Sequence, residues 1–234
     1  PEKVLLEKYL GVPIVKMPQN NENVLFNVYK RIFDVAVTVI SSVLLIIPFV
    51  VIALLIKLTS KGPVFFKHTR IGKDCKPFEF YKFRTMNIGS DDGSHRDFVS
   101  EFIRAEGQNG GVRKITNDPR VTPVGRFLRK TSLDELPQLF NVLRGDMSLV
   151  GPRPERPVFV EQLTKEIPMY PRRLKVRPGL TGWAQVKHKY DENIDDVKKK
   201  VQYDLYYIEN MSLRMDFKII LRTISHTLLG RGHT

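Results

Sequence analysis

Asp134 and Glu135 stand side by side in the run Thr131-Ser132-Leu133-Asp134-Glu135-Leu136-Pro137. Arg126, Arg129 and Lys130 precede them, and Arg144 and Arg153 follow. Opposite charge nearby lowers a carboxyl pKa, so the pair is expected to be ionised. An ionised carboxylate can attack phosphorus or carbon, or it can hold a metal. The basic groups can grip a polyphosphate. Ser132 and Glu135 also have capping-box spacing. That spacing predicts a helix starting at Ser132, with both acids in its first turn, where the dipole and free N–H groups favour negative charge. Taken alone, the same pattern describes helix-start acids without chemistry.

The elements that would position this pair can be read around it. Leu133, Leu136, Phe140 and Leu143 recur at helical spacing within Val124 to Leu143. Val64 to Arg70 and Phe78 to Met86 are β-rich runs on either side of the polar turn Gly72 to Pro77, which predicts a hairpin. On its second strand Phe78, Phe80, Lys82 and Arg84 share a face. Lys82 there is either a snorkelling edge lysine or a phosphate ligand. Arg153 and Arg177 lie in Gly/Pro-rich loops, Gly145 to Pro154 and Val176 to Trp183, where such residues are often plain solvated charges. Helices are expected around Val158 to Glu166, Asp195 to Asn210 and Met215 to Leu229. The last is amphipathic and basic, suited to a membrane surface or to packing on the core. Asn87 to Gly111 reads as a polar loop region with a helical piece at Phe98 to Ala105. Asp91-Asp92 reads there as an acidic turn rather than a metal pair. The five histidines show no ligand spacing, and Trp183 reads as a packing or interfacial residue.

A chain of 234 residues suits one domain with a small appendage. Its net charge of +13 calls for a polyanionic partner: nucleic acid, acidic lipid or phosphorylated small molecules. Cys75 is the only cysteine, which excludes an intrachain disulfide and speaks against a Cys-based metal site. A reducing, cytoplasm-facing location fits this usage. The start at Pro1 reads as a cut from something longer, and Glu2 to Met17 read as the last helix and strand of a preceding module.

From Val35 to Ile56 there is no charged residue. As a helix this run of about 22 residues would be roughly 33 Å long, enough to cross a hydrocarbon core. Pro48 inside it removes a backbone hydrogen bond and predicts a kink. Lys30 and Arg31 flank one end, and Lys57, Lys61 and Lys67 the other. A simple span shows a one-sided Lys/Arg bias. Bias on both sides points to a helix that dips in, bends and returns. A bent re-entrant helix and a simple span both remain open on these features, with a buried core helix as the third reading. The long apolar run makes a nucleic-acid partner unattractive.

Several longer motifs occur in order. They are Lys30-Arg31-Ile32-Phe33-Asp34, Tyr81 to Met86, Arg129 to Val142, Gly145 to Pro154 and Arg177 to Trp183. Across Tyr29 to Gly230 the chain resembles the bacterial sugar transferase family, the monotopic polyprenyl-phosphate phosphoglycosyl transferases. The resemblance implies an α+β, mainly helical monotopic membrane protein with a re-entrant helix, a small β-hairpin and amphipathic interfacial helices. It implies a linker or tail of a preceding module at 1–28, a re-entrant helix bent at Pro48 at 29–60, and a cytosolic catalytic domain at 61–234, together the catalytic portion of a larger member. The implied reaction moves a sugar-1-phosphate from a UDP-sugar to polyprenyl (undecaprenyl) phosphate with Mg2+, releases UMP and initiates surface glycan synthesis. It is implied to run on the cytoplasmic face of the bacterial inner membrane, among its lipids, without nucleic acid and with a possible homo-oligomer.

By position, the resemblance makes Asp134 the nucleophile, Glu135 the Mg2+ ligand, and Arg129, Arg153 and Arg177 clamps on phosphate or uridine. Lys82 would hold phosphate at the bilayer surface. The chain departs from the family pattern at Ile47-Pro48, where many members have Ser-Pro, and at Lys187-His188-Lys189-Tyr190, where many have Gly-Arg-Asn. Two other functions compete. One is a metal-dependent glycosyltransferase that moves the sugar alone and releases UDP. The other is a basic membrane- or polyanion-binding protein without chemistry.

Overall fold

The computed structural model describes residues 24–87, 118–188 and 193–228. The expectations for Glu2 to Met17, Asp91-Asp92, His95, the helical piece at Phe98 to Ala105, Lys189-Tyr190 and His233 lie outside the described residues.

The fold is mainly helical, with two small two-stranded sheets among the described residues. The apolar run forms two helices, α1 (Val24–Leu44) and α2 (Ile46–Thr59), which meet at 62°. The break falls at Leu45, three residues before Pro48 where the kink was expected. A proline ring collides with the carbonyl four residues earlier, here that of Leu44, so the first helix ends there. Pro48 then sits in the first turn of α2, where its missing N–H is no loss. No single described helix is long and apolar enough to cross a membrane; the bent pair passes that test only together.

Both ends of the elbow are tied to the same body. Lys30 is buried, with its Nζ 2.6 Å from Asp216. Arg31 donates to the carbonyls of Val142 and Leu143 at 2.6 and 2.8 Å. At the far end Arg84 donates to the carbonyls of Lys61 and Ser60. Lys30 and Arg31 are therefore committed to protein partners, so they are not the free interfacial charges that the flank comparison assumed.

Strands β1 (Phe65–Ile71) and β2 (Pro77–Phe83) form the expected antiparallel hairpin. Asp74 and Cys75 both have positive φ, the signature of the mirror-image turn that follows strand twist. The hairpin buries Phe83 with Ile52, Ile56 and Leu128 beneath the elbow.

The helical periodicity of Val124 to Leu143 is divided among three elements, and no α-helix starts at Ser132. Helix α3 (Pro123–Lys130) is capped by Thr122, whose hydroxyl accepts from the Gly125 N–H. One short 3-10 turn, Leu133–Glu135, follows, and then α4 (Gln138–Arg144). Ser132 has φ +56° and makes no side-chain cap, so the capping box does not form. Its carboxylate member, Glu135, is bound elsewhere, as described below.

The two Gly/Pro-rich segments, expected to be loops, also carry strands. Within them β3 (Ser148–Val150) and β4 (Gly179–Thr181) pair in parallel. Helix α5 (Pro157–Glu166) leads through the 3-10 stretch Tyr170–Lys175 into β4, and the short α6 (Trp183–Lys187) follows. Helices α7 (Ile194–Glu209) and α8 (Leu213–Leu228) match their expected positions to within two residues. The main core gathers Phe80, Val142, Met147, Val150, Tyr170 and Val201 with Tyr207 and Ile219.

Candidate active site

The chain reaches the site through a left-handed residue. Ser132 sits in a region that costs a non-glycine residue about 1 kcal/mol or more, and it turns the chain so that Asp134 points inward. Asp134 is 7 % exposed. Pro137 then opens α4, and Arg31 caps the last carbonyls of that helix. Asn141 on α4 docks the helix to β2: its amide donates to the Glu79 carbonyl at 2.6 Å and its oxygen accepts from the Tyr81 N–H. This docking brings Lys82 of β2 over the acid pair.

Lys82 Nζ lies 3.2 Å from Asp134 Oδ2 and 2.7 Å from Glu135 Oε1. Arg153, three residues beyond β3, forks onto both Glu135 oxygens, with Nη1 at 3.3 Å from Oε2 and Nη2 closer to Oε1. The two carboxylates therefore have opposite characters. Burial works to raise the Glu135 pKa, but the charges of Arg153 and Lys82 outweigh it and hold the group well below the usual carboxylate range. At Asp134 burial dominates, Lys82 offsets it only in part, and the pKa is raised. The expectation that surrounding cations would keep both acids ionised is thus realised at Glu135 and reversed in direction at Asp134. Arg153 is itself pushed up by the Glu135 charge.

A cavity of about 570 Å3 opens against Glu135 and Arg153. Thr131 and Ser132 form part of its wall. Val37, Ser41 and Leu45, on one face of α1 down to the break, form another part, and Ile220 and Ile224 of α8 a third. Gln185, His188 and Lys200 also line it.

The remaining candidates are not drawn onto the pair. Arg129 is exposed, and its Nε donates to the Thr85 hydroxyl at 2.9 Å. Arg177 is exposed and has no hydrogen bond or ion pair among the described residues; its backbone runs against Gly151. Behind Arg153 lies a charge network that the sequence reading missed. Arg173 donates to the Arg153 carbonyl and pairs with Asp204 at 2.8 Å. Glu155 is held by Lys200 at 2.9 Å and Arg70 at 3.3 Å. Burial would raise the Glu155 pKa, but Lys200 and Arg70 bring it down to about 2. A second missed knot joins Lys30, Asp34, Asp216 and Tyr207. Its only sequence signal was the i,i+4 pair Lys30 and Asp34 at the head of an apolar run.

No three His, Cys, Asp or Glu side chains among the described residues make a metal cage. A hard divalent cation that keeps its waters and takes one or two carboxylates plus phosphate oxygens needs no such cage. Glu135, an oxygen donor at the cavity wall whose oxygens are held here by Lys82 and Arg153, fits that mode.

The chain belongs to the bacterial sugar transferase family, whose model matches residues 25–230. It is 45 % identical over 203 residues to a UDP-N-acetylgalactosamine-undecaprenyl-phosphate N-acetylgalactosaminephosphotransferase of Aeromonas hydrophila, covering 87 % of this chain and 44 % of the relative. It is 41 % identical over 228 residues to a UDP-glucose:undecaprenyl-phosphate glucose-1-phosphate transferase of Klebsiella pneumoniae, covering 97 % and 46 %. The exopolysaccharide production protein PSS of Rhizobium leguminosarum bv. phaseoli is 40 % identical over 215 residues, covering 88 % of this chain and 98 % of that protein. The chain thus spans a little under half the length of the first two relatives and nearly the whole of the third.

Proposed function

We propose that the protein transfers a sugar-1-phosphate from a UDP-sugar to polyprenyl (undecaprenyl) phosphate, releases UMP and so begins a bacterial surface glycan. The observation that carries the reading is the shared cavity. Glu135 and Arg153 stand at one wall, next to Asp134, which does not itself line the cavity, and the face of α1 leading to the break at Leu45 forms another. A polar donor and a lipid acceptor can meet there.

The chemistry follows from the asymmetry of the pair. An Asp134 oxygen attacks the sugar-bearing phosphorus. The bond between the two donor phosphates breaks, UMP leaves, and the sugar phosphate is held as an acyl phosphate. A polyprenyl phosphate oxygen then attacks the same phosphorus and frees Asp134. A raised pKa makes Asp134 the more basic and more nucleophilic of the two acids. Glu135 stays ionised, and we assign it to Mg2+ against the donor phosphates. When bound, the ion neutralises charge on the phosphoryl oxygens. Lys82 spans both carboxylates and holds Asp134 in place until phosphate arrives. Arg177 and the free face of the Arg129 guanidinium are left to meet the donor's phosphates or uridine.

The elbow is assigned as re-entrant, inserted from the cytoplasmic face of the inner membrane. Support comes from the pinning of both its ends on one body, by Lys30 and Arg31 at the start and Arg84 at the finish. From Val35 to Leu44 the first arm descends about 15 Å, roughly half a hydrocarbon core. Val39, Ile40, Val43, Ile47, Val50 and Leu54 are exposed along the arms, as lipid contact requires. The names of the Aeromonas and Klebsiella relatives agree on undecaprenyl phosphate and differ in the sugar.

The test is the released nucleotide. The protein, a UDP-sugar, polyprenyl phosphate and Mg2+ should yield UMP. UDP as the product would favour transfer of the sugar alone, and no nucleotide release from any donor would leave only the binding role.

A further inference from the structure

The face formed by α6 and α8 carries a group of cations that the transfer chemistry does not use. Lys187, Lys218 and Arg222 lie 5.2, 5.9 and 5.3 Å from the centre of the Trp183 ring. Tyr206 stacks on the same indole at 6.2 Å. No carboxylate among the described residues is within ion-pair distance of the three cations. Each contact alone is an ordinary cation–π pair. Three like charges around one ring also repel one another, and nothing in the described fold neutralises them.

Beside this cluster α8 presents a different edge. Leu213, Phe217, Leu221 and Ile224, at spacings of three and four, are exposed. The helix is thus divided lengthwise, with apolar side chains along one edge and Lys218 and Arg222 along the next. An interfacial helix divides in this way, with the apolar edge among acyl chains and the cations at headgroup level. An indole rimmed by cations suits the same depth. The apolar edge is continuous with the elbow, because Ile224 lines the cavity that Val37, Ser41 and Leu45 close on the other side.

We propose that Trp183, Lys187, Lys218 and Arg222 form a headgroup site for an anionic phospholipid. The lipid's phosphodiester would sit among the three cations and its chains along Phe217 and Leu221. Charge complementarity and the adjoining apolar edge select this occupant over a soluble anion, which would leave the apolar edge uncovered. The inference rests on the membrane assignment made above.

Trp183 is the only tryptophan in the chain, so its fluorescence reports on the site directly. The full chain is reconstituted in phosphatidylcholine vesicles that carry a small fraction of lipid brominated near the headgroup. That lipid is either phosphatidylglycerol or phosphatidylcholine, at equal mole fraction. Brominated phosphatidylglycerol should quench Trp183 with an apparent affinity higher by at least about fivefold, the gain expected of one basic residue at an anionic surface. The double variant Lys218→Gln, Arg222→Gln should lose that preference, and Arg222→Lys should keep it. All three proteins should keep their circular dichroism and their UMP release in detergent. Equal quenching by the two bromolipids overturns the site. Quenching by neither overturns the membrane placement of this face as well. UMP release reads the transfer chemistry separately, so its failure is distinguishable from both.

Discussion

Replacing Lys30 with Met tests how the elbow is held to the catalytic body. The Lys30 and Asp216 side chains are 9 % and 0 % exposed and 2.6 Å apart, with Asp34 at 4.0 Å. Removing one partner of such a pair leaves an uncompensated buried charge, at a cost of about 3–5 kcal/mol. Asp216 keeps the Tyr207 hydroxyl at 2.7 Å, which places the loss near the lower end, about 3 kcal/mol. For a chain of this size that is a fall in Tm of roughly 6–12 °C. The double variant Lys30→Met, Asp216→Asn removes the nearer of the two stranded charges, leaving Asp34 on the Leu149 N–H, and should recover about 2 kcal/mol. The pH dependence has a definite sign. Burial raises the Asp216 pKa and Lys30 opposes it. Without Lys30 the pKa rises further, and protonation then relieves the buried charge. The Lys30→Met deficit should therefore shrink as pH is lowered from neutral. Thermal unfolding followed by circular dichroism in detergent micelles measures all three quantities. A Lys30→Met protein within about 0.5 kcal/mol of the parent, or a deficit that grows as pH falls, would refute the reasoning.

Arg153→Lys removes the fork on Glu135 but keeps the charge, so UMP release should fall about 10- to 100-fold with Tm nearly unchanged. A Cβ on Gly179 would lie 2.1 Å from the Gly151 nitrogen and 2.4 Å from the Thr181 carbonyl oxygen. Gly179→Ala should therefore force β3 and β4 apart and lower stability by about 3 kcal/mol, read by the same melting experiment. Glu155 is depressed to about 2 from its usual 4.5. The stability it contributes is complete above the unfolded value and is lost as pH falls from about 4.5 to about 2. Glu155→Gln should flatten that limb of an acid titration while lowering stability at neutral pH by about 3 kcal/mol.

The sequence carried local geometry well and long-range pairing poorly. The hairpin was legible because its alternation and polar turn are local, and α7 and α8 because their periods run for several turns. The kink was legible from Pro48, but the break lies at Leu45 because the ring acts on the carbonyl one turn earlier. The helix expected from Ser132 failed on one residue. Ser132 takes a left-handed conformation, and Glu135 turns to Arg153 and Lys82 instead of reaching back to cap. Strands β3 and β4 are three residues each, too short for a period-two pattern, and among the described residues each gains its ladder only from the other. The acid pair stood out, yet its split character did not. That split depends on Arg153, 18 residues after Glu135 and forked onto it alone, and on the burial that dominates at Asp134. Lys30 and Asp216 are separated by 186 positions, and nothing in either one's neighbours announces the pairing.

The central claim is that Asp134 itself carries the sugar phosphate between donor and acceptor. Intact-protein mass spectrometry after brief exposure to the correct UDP-sugar and Mg2+, with polyprenyl phosphate withheld, tests it directly. The expected result is a mass gain of one sugar phosphate, mapped by peptide analysis to Asp134, with an equal quantity of UMP and no gain in Asp134→Asn. UMP that appears only once the lipid acceptor is added, with the protein mass unchanged throughout, would contradict it.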